Sequence, residues 1–256
     1  MRLAKQLLTQ NDCYKAGRTI IPKGVMVHST GANNPWVSRY VPGNEVLGYN
    51  TGGNDWDRPG LSKCVHAFVG KFADGNGGVV QTLPWNWRGW HAGGSANNTH
   101  IGFEICEDDL EDASYFQIVY QLAVELTAML CKQFCLDPLA DGVVICHSEG
   151  YKRGVASNHA DVMHWFYEYG MTMDDFRTDV ARWMEEGEEV TQEQFDAMME
   201  NWLSRRAGQS ADGWAAEGLA EAKAEGLFDG SRPQSFATRQ EVALMVNAAV
   251  SAAKNR

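Results

Sequence analysis

The chain has 256 residues, 44% of them hydrophobic, with 33 acidic and 22 basic side chains and a formal net charge of −11. That length is enough to bury a full core in one or two domains, and an acidic balance without any Lys/Arg block excludes a surface that tracks nucleic-acid phosphates. No run approaches the roughly 20 apolar residues of a membrane span, and the basic N-terminus lacks the apolar core and cleavage site of a secretory signal, so we expect synthesis in a cytoplasm without membrane insertion.

Residues 24–29, GVMVHS, follow Pro22 as a short β-type run and are expected to carry His28 to a strand end. A histidine so placed can simply cap a sheet through a backbone hydrogen bond. Residues 30–62, rich in Gly, Asn, Pro and aromatics with little periodicity, read as long surface loops. Residues 63–71 and 78–83 are strand-like runs joined by the turn-rich ADGNGG, a β-hairpin pattern with His66 inside its first strand as a packed core histidine. The following WNWRGWHAGGSANNTH suits two roles: a binding rim, with aromatics for stacking and glycines for close approach, or a tryptophan-rich hinge packed on the core.

Residues 101–106, IGFEIC, alternate so that Glu104 shares a strand face with Gly102 and Cys106. A mid-strand carboxylate fits either a structural ion pair or a general base beside a metal. Apolar positions from Phe116 to Phe134 follow the spacing of one helix face, which predicts a helix over 113–135 covering the sheet. The six cysteines show no C-x-x-C spacing and read as reduced, buried thiols; Cys131 and Cys135, four apart on that helix, do not suit disulfide geometry.

Residues 146–165, CHSEGYKRGVASNHADVMHW, gather three histidines and the carboxylate of Asp161 directly after the apolar run 143–146. His147 is expected at a strand end, and His159 and Asp161 are two apart, so in extended backbone both point to one side. Imidazole and carboxylate are zinc ligands, and catalytic zinc takes three protein ligands plus water. A solvated polar loop with helix-capping Ser and Asn is the plainer alternative for any one of these residues; the cluster, with His28 upstream, favours a metal site.

Residues 172–206 are charged, Met-rich and helix-favouring, with breaks expected near Gly187 and at a cap spanning Thr191 and Gln194. Two further helices are predicted, over 211–228 and 238–252, the second opened by a capping box of Thr238 and Glu241. Residues 173–256 hold 16 acidic and 9 basic residues, net −7, so the two parts of the chain are expected to do different jobs.

As a set, VMVHST, GWHAGG, HIGFEIC, CHSEG and HAD resemble the zinc-dependent N-acetylmuramoyl-L-alanine amidases related to peptidoglycan recognition proteins, in their phage and prophage endolysin form. The resemblance covers about residues 20–167. It implies an α/β domain with a central mixed sheet flanked by helices, Zn²⁺ on His28, His147 and Asp161, Glu104 as catalytic glutamate, and Trp90 and His91 in a substrate loop. It places His159 where relatives commonly carry a catalytic lysine, and the spacing from His147 is longer than in those relatives. Residues 211–250, with Trp214 and GLFDG, are similar to one S-layer homology unit, whereas wall-anchoring versions usually come in threes. The implied organisation is a catalytic domain over 1–172, a helical connector over 173–208 and a small all-helical module over 209–256 for wall binding or self-association. The implied substrate is peptidoglycan, reached after release from the cytoplasm. Three rivals are a peptidoglycan-binding module without catalysis, a zinc peptidase cutting the stem peptide, and a scaffold in which the histidines serve only structure; the complete ligand set argues against the first, the lack of an H-x-H pair against the second, and metal analysis separates the third.

Overall fold

The computed structural model describes residues 1–185 and 192–254, and the chain divides into two compact units, residues 1–187 and 188–256. The first unit is built on strands β1 (Leu3–Lys5), β2 (Gly24–Ser29), β3 (Ala67–Lys71), β4 (Gly77–Gln81), β5 (His100–Ile105) and β6 (Val144–Cys146). They form one mixed sheet in the order β1-β4-β3-β5-β2-β6. β3, β5, β2 and β6 run parallel to one another, and β4 is antiparallel to β3. The β3–β4 hairpin matches the sequence pattern: Asp74 caps its turn by accepting from the Asn76 amide (3.1 Å), and Gly75 takes the left-handed conformation at φ +80°. His66 lies just ahead of β3 and is fully buried; its Nε2–H donates to the Trp87 carbonyl (2.7 Å) and its Nδ1 accepts from the Gly102 amide (3.0 Å).

Alternation along the strands separates the two faces. Val25, Val27, Ile101, Phe103 and Ile105 join one core with the long helix α2, introduced below, while Met26, His28, Gly102 and Glu104 belong to the other face. Helix α1 (Asp12–Ala16) is a short turn capped by Asn11. Helix α2 (Ala113–Phe134) starts where Asp112 accepts from the amides of Ser114 and Tyr115, and ends where Cys135 turns left-handed at φ 53°. All six cysteines are free; Cys64, Cys106, Cys131 and Cys146 are buried, whereas Cys135 is exposed. The unit is completed by α3 (His147–Lys152), α4 (Met163–Phe166) and α5 (Met173–Glu185).

Helix α5 packs on the first unit beyond residue 172. Met173, Phe176 and Val180 are buried in the same core as α2, and Phe176 meets Phe166 and Tyr120 at ring distances of 5.9 and 5.6 Å. The Tyr120 hydroxyl donates to Asp179 (2.8 Å), and Arg177 donates to the Val144 carbonyl (2.9 Å) and pairs with Glu149 (3.0 Å). Burying an apolar side chain contributes about 1.5–3 kcal/mol, so losing these residues costs on the order of 5–8 kcal/mol, comparable with the ~5–15 kcal/mol stability of a domain. A chain ended after residue 172 should therefore fail to melt cooperatively, while one ended after Gly187 should melt as a unit. Closely similar thermal midpoints for the two would contradict this.

The second unit holds α6 (Gln192–Ala207), α7 (Ala216–Ala224) and α8 (Arg239–Lys254). The stretch expected as a separate connector is thus divided between the units. Trp202 of α6 stacks on Phe236 (5.7 Å), and Arg206 donates to the Gln234 carbonyl (2.9 Å). The breaks expected at Gly187 and at Thr191 lie outside the described residues. α7 is shorter than the predicted 211–228 because residues 212–215 form a turn, with the Ala215 amide donating to the Asp212 carbonyl (2.9 Å). The capping box of α8 is present: the Thr238 amide donates to Glu241 (2.7 Å) and the Glu241 amide to the Thr238 hydroxyl (3.2 Å). No helix among the described residues is long and apolar enough to cross a membrane.

Candidate active site

Three adjacent parallel strands end together and deliver the site, the usual place for a ligand crevice in such sheets. In register, His28 of β2 lies beside Glu104 of β5, so both side chains leave the same face. Cys146 of β6 pairs with Val27, and the next residue, His147, opens α3 beside His28. Asp161 comes from the loop after α3 and is held there in part by its carbonyl, which accepts from the Ser148 amide (3.3 Å).

His28 Nδ1 lies 3.1 Å from His147 Nδ1 and 3.0 Å from Asp161 Oδ2, and His147 Nδ1 lies 3.4 Å from that same oxygen. His28 and His147 are buried, and Asp161 is partly buried. Burial pushes the His28 imidazole below its ordinary pKa, against the opposing pull of Asp161. Burial also works to raise the Asp161 carboxyl, but hydrogen bonds from His147 and His28 win and hold it well below the usual carboxylate range.

These residues fit a zinc ion. Bonds of about 2.0–2.1 Å in a tetrahedron put ligand atoms about 3.3 Å apart, close to the three separations found. Glu104 adds an independent sign: its Oε2 is buried without a hydrogen-bond partner among the described residues. Burial, with the Asp161 and Glu107 charges behind it, pushes its carboxyl well above the ordinary range. An orphaned carboxylate costs several kcal/mol unless a cation or a reacting group offsets it.

His159 sits at the rim, exposed, with its ring 4.6 Å from that of His147 and its Nδ1 3.0 Å from the Ser157 hydroxyl. Trp90 is also on the surface, 43% exposed, with the Arg88 guanidinium over its ring at 5.0 Å. The His91 ring packs over Gly102 behind His28, where Nδ1 lies 3.0 Å from His28 Nε2. Two residues passed over in the sequence join the site. Ser157 Oγ lies 3.1 Å from His147 Nε2, and buried Asn97 accepts through Oδ1 from the amides of His91 (2.8 Å) and Ala92 (2.9 Å). Both fall in polar stretches whose composition gives no signal beyond loop.

Two imidazoles and a carboxylate converging beside a half-buried glutamate, whose Oε2 is without a hydrogen-bond partner among the described residues, define a candidate hydrolytic centre in a mixed α/β fold. The chain belongs to the N-acetylmuramoyl-L-alanine amidase family, whose profile matches residues 17–163. That membership places it among peptidoglycan hydrolases. The fold is shared with the Staphylococcus aureus hydrolase AmiA, solved with its ligand, at a TM-score of 0.53 and 17% identity over 76% of this chain and 86% of AmiA. The PlyG catalytic domain superposes at a TM-score of 0.50 and 20% identity, over 72% of this chain and 96% of its own. A mutant endolysin from Bacillus subtilis aligns at a TM-score of 0.48 and 20% identity, over 70% of this chain and 99% of its own. No curated protein sequence matches the chain.

Proposed function

We propose that the chain cleaves the amide between the lactyl group of N-acetylmuramic acid and the L-alanine of the peptide stem, with Zn²⁺ held by His28, His147 and Asp161. The convergence of those three side chains beside unpaired Glu104 carries the reading. Bound there, zinc would polarise the scissile carbonyl and lower the pKa of water toward neutrality. Glu104 takes a proton from the attacking water and returns it to the leaving amine. His159 donates to the oxygen that gains charge as the carbonyl turns tetrahedral, an interaction worth a few kcal/mol in comparable sites. Its Nδ1 is occupied by Ser157, which leaves Nε2 as the donating atom. Trp90 offers an exposed ring for the sugar or peptide to stack on. Clearing of a cell-wall suspension should stop on addition of a chelator and return with zinc; clearing that persists in chelator would refute the metal reading.

An imidazole is cationic only when protonated, whereas a lysine ammonium persists to far higher pH. His159→Lys should accordingly extend activity to higher pH. An active lysine variant with an unmoved alkaline limb would assign that limb to another group.

For the second unit we propose self-association rather than a wall anchor. α8 exposes Val242, Leu244, Met245, Val246 and Val250, and the region's negative charge offers nothing to an anionic wall. Light scattering of the full chain at micromolar concentration should give a multiple of the 28.4 kDa chain mass; a monomer would exclude the idea.

A further inference from the structure

The loop from Gly89 to Asn97 has a job other than meeting substrate. We infer that His91 and Ser157 are positioning residues that hold both zinc histidines in the tautomer with a bare Nδ1, braced from one loop; this rests on the zinc reading above.

The proton arrangement follows from what each partner can do. The His100 carbonyl is an acceptor only. It lies 3.2 Å from His91 Nε2, so His91 carries its proton on Nε2 and presents a bare Nδ1 to His28. His28 Nε2, 3.0 Å from that nitrogen, must then be the donor, so Nδ1, which hydrogen-bonds Asp161 while no metal is bound, is the nitrogen left to face zinc beside His147 and Asp161. A backbone carbonyl of β5 thereby sets the state of a ligand on β2 through one intervening ring.

The same loop reaches the second ligand. Ala92, next to His91, offers its carbonyl to the Ser157 amide (2.8 Å) and to the Ser157 hydroxyl (3.3 Å). With its one hydrogen on the Ala92 carbonyl, Ser157 Oγ accepts from His159 Nδ1 (3.0 Å) and from His147 Nε2 (3.1 Å), which leaves His147 Nδ1 for the metal as well. Asn97 fixes the loop by accepting from both the His91 and Ala92 amides. The glycines have a steric reason: a Cβ on Gly102 would enter the His91 ring, one on Gly93 would meet the Ser157 side chain, and one on Gly94 the Val155 carbonyl. Outer partners of metal-binding histidines commonly account for about 10–100-fold in affinity.

The test is zinc affinity by competition with a chelator, together with nitrogen-15 imidazole spectra of the full chain. His91→Leu and Ser157→Ala should each weaken zinc binding about 10–100-fold. His91→Asn, whose amide oxygen keeps an acceptor near the Nδ1 position, should stay much closer to the native affinity. Unchanged zinc affinity in folded His91→Leu and Ser157→Ala chains would overturn the inference, as would equal losses in the Leu and Asn variants at position 91. If His91→Leu does not fold, the native metal-free spectrum decides: His91 should carry its proton on Nε2 and present a bare Nδ1 to His28, and a His91 proton on Nδ1 refutes the brace. A native chain that binds no zinc would sink the metal reading itself, and that same spectrum would still judge the hydrogen-bond chain.

Discussion

Glu104→Gln should leave the fold and zinc content intact while turnover of peptidoglycan falls by roughly 10²–10⁴-fold, the range for removing a general base. The amide keeps the size of the carboxylate and removes the basic oxygen. Because Glu104 Oε2 has no hydrogen-bond partner among the described residues, that oxygen gives up no structural bond, and stability should hold or rise. Burial and the neighbouring Asp161 and Glu107 charges hold the metal-free carboxyl in its neutral form well above the ordinary range. The unfolded chain then releases its proton at lower pH than the folded one. Native stability contributed by this group is thus lost as pH rises from the ordinary glutamate value through the raised one, and Glu104→Gln should be free of that loss. Near-native turnover in the glutamine variant would show that Glu104 is only a packed side chain.

Asp161→Ala is expected to reduce zinc occupancy to a small fraction and abolish wall lysis, since two imidazoles alone rarely hold catalytic zinc. It also removes the negative partner of His28 and His147, leaving two buried imidazoles 3.1 Å apart at their Nδ1 atoms. Metal analysis and a lysis assay on the same preparation check both effects. Full zinc content together with activity would refute the ligand assignment.

The strands that carry the site were readable because each is a short β-branched run with a polar residue at a defined place: His28 near the end of β2, Glu104 within β5, and His147 one residue past β6. α2 was readable from its apolar spacing. α5 was not assigned to the core, because its buried stripe is only Met173, Phe176 and Val180 among charged neighbours, a pattern that an exposed connector shares. The predicted helix over 211–228 ran long because its Ala- and Glu-rich composition favours helix throughout, while Asp212 and Gly213 favour a turn. His91 shows a different limit. GWHAGG displays a histidine among glycines, but whether its ring turns to solvent or behind His28 depends on Gly102, eleven positions away on β5. Ser157 reads as one more loop serine, and its hold on His147 exists only once the loop has folded back onto Ala92.

The proposed chemistry specifies one bond, and the product end groups report it. Purified peptidoglycan digested by the full chain should gain free L-alanine amino termini while its glycan strands stay intact. New reducing sugar ends, or new termini from inside the stem peptide, would contradict the assignment.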